Sequence, residues 1–212
     1  MKNFWKWTAA LIGILWATKT VIVSQQFNLQ SMLSLYLDGL TKAFGPLSKM
    51  QQQHASQIIT SFDRNGDRDF RKLSYMLATA WHESRQLTSL KEIRCAPGTP
   101  CYEDQNRYWS SGYWGRGFVH LTHLDNYRKM SKRLNLDLVN NPVLAESPVV
   151  AADILVIGML EGIFTNLKLS DFINSQITDY TSARRVVHKL DRADLIASYA
   201  HSINASLRYQ LA

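Results

Sequence analysis

Apolar residues recur at helical spacing along most of this chain. From Leu29 to Phe44 the stripe Met32, Leu33, Tyr36 and Leu40 predicts a helix that stops at Gly45-Pro46. A second helix is expected from Gln51 to Phe62. The polar run Asp63 to Asp69 then reads as a turn, with Asp69 placed to cap a third helix. That third helix spans Phe70 to Ser84, with Leu73, Met76, Leu77 and Ala80 on its core side. From Cys95 to Gly117 no helical period is evident, which predicts a long loop with room for a short hairpin. Loops of that length in a compact domain are usually functional. The helical pattern returns at Leu124–Leu134, Val149–Leu160, Thr181–Leu190 and Ala193–Leu207, punctuated by Pro142 and Pro148. No alternating strand pattern is strong, so the fold class is mainly α.

The 212 residues suffice for one sizeable domain, or a domain with an arm. Lys2 and Lys6 precede an apolar run from Trp7 to Ala17, and Val21-Ile22-Val23 extends it. This is the order of a signal peptide or signal anchor. The chain therefore divides into a leader, 1–26, and a domain, 27–212. An ordinary amphipathic arm is the alternative. A leader implies export, with the protein membrane-anchored through residues 1–23, periplasmic or secreted. The net charge of +7 favours an acidic partner, yet no tract concentrates it. No zinc-finger spacing or other nucleic-acid motif is present, which sets nucleic acid aside. An anionic cell wall fits better.

Candidate chemistry gathers in two blocks. The first is Leu77-Ala78-Thr79-Ala80-Trp81-His82-Glu83-Ser84. Glu83 lies three residues past Ala80 and seven past Met76, so a helix carries it beside the apolar stripe. Such shelter suits a carboxyl group that must hold a proton for delivery; a surface Glu paired with Arg85 is the plainer reading. Cutting a glycosidic bond takes a second carboxylate. Glu92 lies nine residues on, and Glu103 and Asp104 compete with it. The second block, Tyr113-Trp114-Gly115-Arg116-Gly117, offers flat aromatic faces and close backbone approach, a surface suited to pyranose rings. Arg116 could orient a carboxylate; an aromatic core turn is the rival reading. Thr122 and Asn126, one helical turn apart, suit one cleft. Pro97-Gly98 can turn the chain to join Cys95 and Cys101 in a small disulfide loop, two free thiols being the alternative. No metal or other cofactor is expected. Gln86 stands where HExxH needs its second His, and His120 and His123 lack a convergent third ligand. The Asp63–Asp69 run lacks the Gly and Glu of a calcium loop.

These blocks, in order, resemble those of glycoside hydrolase family 19, the chitinases and their phage and bacterial lysozyme-like relatives. Met76 to Ser84 resembles the family's helix ending in His-Glu-Ser/Thr. Tyr113 to Tyr127 resembles its Tyr-Tyr-Gly-Arg-Gly-x-x-Gln-Leu-Thr/Ser block with trailing Asn-Tyr. Asp137 to Ala145 resembles its Asp-Leu-Val-x-Asn-Pro-Asp-Leu-Ala segment, and Ala183 to Ala193 is a weaker match. The resemblance implies a lysozyme-like, two-lobed helical domain with a substrate cleft and a polysaccharide substrate. It implies inversion, with the two carboxyl groups roughly 6.5–9.5 Å apart. It makes Glu83 the proton donor, Thr122 a holder of the attacking water and Asn126 a substrate contact. Glu92 matches the base that closes the short loop of phage-type relatives, whereas plant-type enzymes place it nearer Glu103. His82, Tyr113, Trp114, Arg116, His120, Tyr127 and His188 join the expected substrate contacts. Two departures stand out: His120 where Gln is usual, and His188-Lys189 where Asn-Gly is usual. The expected activity is hydrolysis of β-1,4-linked N-acetylhexosamine polymers, with peptidoglycan slightly favoured over chitin. The alternative is a non-catalytic sugar-binding or membrane-anchored scaffold.

Overall fold

The computed structural model describes residues 29–211. The expected leader, 1–26, lies outside them. Among the described residues no helix is long and apolar enough to cross a membrane. Eight helices appear among them: α1 over 29–44, α2 Lys49–Asn65, α3 Phe70–Glu83, α4 Pro100–Trp109, α5 Leu124–Leu134, α6 Pro148–Glu161, α7 Tyr180–Ala183 and α8 Ala193–Leu211. Among the described residues β-pairing is confined to isolated bridges.

Local chemistry sets most boundaries. Ser48 and Gln51 form a reciprocal capping box at the start of α2, through bonds of 3.3 and 2.9 Å. Asp69 caps α3 as expected, accepting from the Arg71 amide at 3.1 Å. Pro148 opens α6, and Gly162, at φ 74°, closes it in the left-handed conformation that glycine tolerates.

Two helices build the core. In α3 every residue from Lys72 to Trp81 is buried. Helix α6 is apolar around its whole circumference, the pattern of an element enclosed on all sides. It packs on α2, while α3 packs on α8 and α8 on α7. Asp153 is the polar exception in the body of α6, with Glu161 at its end; Ser61, Arg64 and Asn65 of α2 all bond Asp153 Oδ1. Gly158 gives room to Phe164, whose Cζ lies 2.1 Å from where a Cβ would sit.

Two expected stretches differ. Helix α4 falls inside the span 95–117 read as loop. Thr99 caps it, accepting from the Tyr102 amide at 3.2 Å, and Pro100 supplies a preset first turn. Only Gln105 in it is buried, so no apolar period betrays it. The helix expected over Thr181–Leu190 is instead one turn, α7, succeeded by a 3₁₀ turn, Arg184–Val186. Here the Arg184 guanidinium donates to Asp191 O at 2.9 Å and draws the segment into a compact bend.

Candidate active site

Glu83 closes α3. Beyond Ser84 the chain passes through three left-handed residues in succession, Arg85, Gln86 and Leu87, with φ of 52°, 61° and 61°. Side chains there cost about 1–3 kcal/mol each, so the surroundings must hold the turn. The Gln86 amide donates to Trp81 O at 2.7 Å, Gln51 Nε2 donates to Gln86 O at 2.9 Å, and Leu87 is fully buried. The result is a sharp exit that brings residues 90–92 against Gly115–Gly117. There the Glu92 amide donates to Gly115 O, and the Gly117 amide to Leu90 O, each at 2.9 Å.

The partner of Glu83 is Arg184, not Arg85. Arg184 Nη1 donates to Glu83 Oε1 at 2.5 Å, and the Arg184 side chain is only 3% exposed. The bond orients the carboxyl group through one oxygen. Among the described residues Oε2 accepts no hydrogen bond, which leaves it to face a ligand. The spacing of Tyr180, Ala183 and Val187 places Arg184 on the inward side of its segment, a sequence signal overlooked beside the neighbouring Arg185.

Glu92 sits in a cradle of donors. Gln105 Nε2 and the Tyr108 hydroxyl donate to Oε1 at 2.9 and 2.5 Å, and the Gly115 amide donates to Oε2 at 2.7 Å. Burial first, then the bond to Glu92, pushes the Tyr108 hydroxyl well above its ordinary range, so it serves only as donor. Gln105 is itself fixed, accepting from the Cys95 amide at 2.7 Å and donating to Ile93 O at 2.9 Å. The Cys95–Cys101 disulfide ties both ends of this arrangement together. Gly115 is required: a Cβ there would meet His120 Cβ at 2.8 Å and Glu92 Oε2 at 2.9 Å. Gln105 and Tyr108 went unnoticed in the sequence because α4 itself did. Of the competing acids, Glu103 is exposed in the first turn of α4, and Asp104 pairs with Arg107 at 3.4 Å.

A cleft of about 280 Å³ gathers the expected residues. Glu83, His120, Thr122, Asn126 and His188 line it, with Tyr108, the hydroxyl that holds Glu92. Thr122 Oγ1 donates to His120 O at 2.6 Å, which leaves its lone pairs for a water. Asn126 Nδ2 donates to Thr122 O at 3.1 Å, which orients its amide. His120 adopts φ 49°, and its Nε2 is buried with no hydrogen-bond partner. Burial lowers its pKa below the ordinary 6.5, while the charges of Glu83 and Glu92 pull the other way. Glu83 lines the cleft; Glu92 does not, and it stands behind the wall that Tyr108 and Gly115 form beside His120.

Other expected contacts lie elsewhere. Arg116 is buried, donates to Glu146 Oε1 at 3.0 Å, and bonds Gly112 O and the Tyr127 hydroxyl. Tyr127 is wholly buried, and the Tyr113 hydroxyl donates to Val139 O at 3.0 Å. Trp114 stacks on Trp109 at 5.3 Å and lies under the Arg116 guanidinium at 3.6 Å. Arg116 and Tyr127 are thus spent inside the protein, while Tyr113 and Trp114 stay half-buried and are not among the residues lining the cleft. His82 lines a separate cavity with Trp81, Arg85 and Tyr199.

Comparison with solved structures bears on the fold. Chitinase C from Streptomyces griseus HUT6037 superposes with a TM-score of 0.53 at 15% identity, over 81% of this chain and 90% of that one. The chain has the fold of chitinase C. That fold is the helical, lysozyme-like one implied by the family 19 resemblance. Among curated proteins the chain is similar to Chitinase 11 of Oryza sativa subsp. japonica, 58% identical over 40 residues. Those residues are 18% of this chain and 16% of that one. It is also similar to Basic endochitinase CHB4 of Brassica napus, 34% identical over 85 residues, 38% of this chain and 32% of that one. The chain thus spans a third or less of the length of the curated relatives it matches. No family model matches it.

Proposed function

We propose that the chain is an inverting glycoside hydrolase of β-1,4-linked N-acetylhexosamine polymers, chitin or peptidoglycan. The observation that carries this is Glu83, held through one oxygen by Arg184, facing a cleft lined by His120, Thr122 and Asn126, with Tyr108 of the same lining bonded to Glu92. The names of the chitinases it resembles support chitin-type chemistry.

Glu83 donates a proton from Oε2 to the bridging oxygen, while its carbonyl-like Oε1 keeps the bond from Arg184. Glu92, held by three donors, accepts a proton from a water that Thr122 positions. The water attacks the anomeric carbon from the face opposite the departing sugar, and a β-linkage yields an α-product. Loss of the proton donor should lower kcat by about 10²–10⁴-fold, the usual range for general acid catalysis. Glu83→Gln, assayed on chitin oligomers and purified peptidoglycan, tests this; an unchanged rate on both would remove Glu83 from the mechanism. NMR of the first product anomer tests inversion, and a β-anomer would overturn it. Residues 1–26 are proposed to direct export, through a cleaved or retained leader. Cell fractionation with and without them tests that, and equal cytosolic recovery would defeat it.

A further inference from the structure

Arg94 stands two positions past Glu92, and its side chain reaches across α4. Its Nη2 donates to Asn106 Oδ1 at 2.6 Å, and its guanidinium carbon lies 4.8 Å from the ring centroids of both Tyr102 and Trp109. Tyr102, Asn106 and Trp109 recur at helical spacing and share one face of α4. Seven residues of helix rise about 10 Å, so the guanidinium bridges two turns. Cys101, Gln105 and Tyr108 occupy the neighbouring face, which holds Cys95 and Glu92. Segment 92–95 is therefore gripped from two faces of one helix. The disulfide attaches it at the first turn of α4, and Arg94 attaches it at the later turns, where Gln105 and Tyr108 stand.

The contacts close a ring. Trp109 stacks on Trp114 at 5.3 Å, and the next residue, Gly115, donates its amide to Glu92 Oε2 at 2.7 Å. The path from Glu92 thus runs through Arg94, Trp109, Trp114 and Gly115 back to Glu92. A planar guanidinium can lie against aromatic faces while its N–H groups bond in its own plane; the compact ammonium of lysine cannot.

We infer that Arg94 is a positioning residue for Glu92: its guanidinium, clasped by Tyr102, Asn106 and Trp109, keeps α4 and Gly115 where their donors meet that carboxylate. The effect on rate rests on the hydrolase reading, in which Glu92 takes a proton from water; the clasp itself does not. Arg94 acts on the placing of Glu92 and not on the glycan, so its loss is expressed in kcat rather than in KM.

The test compares Arg94→Ala and Arg94→Lys in the full chain through two readouts. The first needs no turnover: hydrogen exchange of the Gly115 amide, followed by NMR, reports its bond to Glu92. Arg94→Ala should speed that exchange about tenfold, and Arg94→Lys less, while the amides of the buried helix α3 keep their protection. The second is kinetics on a chitin hexamer and on purified peptidoglycan. Arg94→Ala should lower kcat about tenfold with little change in KM, and Arg94→Lys should recover part of the loss. In a Gln105→Ala background the further loss should be small, since both side chains act through one carboxylate. Unchanged exchange at Gly115 in Arg94→Ala would overturn the inference. So would an unchanged kcat, a rise in KM alone, or losses that multiply in full with Gln105→Ala. Asn106→Ala removes only the hydrogen bond, and it should give the same pattern at smaller size; if Arg94→Ala does not fold, an unchanged Asn106→Ala chain would overturn the clasp. No turnover of either substrate by the unaltered chain would sink the hydrolase reading, and exchange at Gly115 would still decide the clasp.

Discussion

At Glu83 the bond from Arg184 holds one carboxyl oxygen and frees the other, so Arg184 is a positioning residue for the proposed acid. Arg184→Ala should cost about 1–3 kcal/mol of stability by urea denaturation, since it removes the bonds to Glu83 Oε1 and to Asp191 O. It should also lower kcat more than it raises KM. His120 allows a pH prediction. Above its ordinary pKa of 6.5 the ring is neutral in both folded and unfolded chains. As pH falls below that value, the unfolded chain takes up a proton that the buried ring resists, so stability declines until the folded ring also titrates. His120→Gln cannot titrate. Its melting temperature should therefore fall less between pH 7 and pH 5 than that of the unaltered chain. Parallel curves would show that His120 does not report burial in this way.

The element on which the second carboxylate depends is α4. It carries Cys101, Gln105 and Tyr108 at helical spacing, and one face thereby offers the disulfide, the amide and the hydroxyl that converge on residues 92–95. Closing a loop this short contributes about 2 kcal/mol in the chain-entropy picture. Its larger role is to keep Gln105 beside Glu92. Reduction, or Cys101→Ser, should therefore lower kcat several-fold while far-UV circular dichroism stays near native. Gln105→Ala should do the same without touching the disulfide. The opposite wall of the cradle is backbone, so Gly115→Ala should push Glu92 aside and abolish turnover in a folded protein. An active Gly115→Ala chain would disprove the tight packing seen there.

At the scale of the whole molecule, the helical core supports the cleft that Glu83 faces. A net charge of +7 attracts acidic polymers in general, and only within about a Debye length. Hydrolysis of peptidoglycan should accordingly fall more steeply with added salt than hydrolysis of a neutral chitin hexamer. Parallel salt curves on the two substrates would mean that charge plays no part in recognition. Stability at this scale depends on contacts that cross the fold, such as Asp153 joining α2 to α6. It also depends on the near-buried pair of Arg116 and Glu146, whose disruption by Arg116→Ala should cost about 3–5 kcal/mol.

The sequence by itself determined the helical class, most helix limits and the end position of Glu83, because apolar spacing, caps and prolines act over a few residues. It also marked Thr122 and Asn126, which do share a cleft, although not through one helical turn: Thr122 precedes α5, and His123 between them stands at φ 71°. Helix α4 stayed hidden because its stability comes from a cap, a proline and a single buried amide rather than an apolar stripe. Only the tertiary structure decided what Glu83 and Glu92 touch. Arg184 reaches Glu83 from 101 positions away, and Gln105, Tyr108 and Gly115 meet at Glu92 through a fold-back that no local pattern announces. Nor could the sequence tell that Arg116, Trp114 and Tyr127 spend their polar and aromatic groups on one another. Which side of a turn faces water depends on the elements packed behind it, and those come from distant stretches of chain.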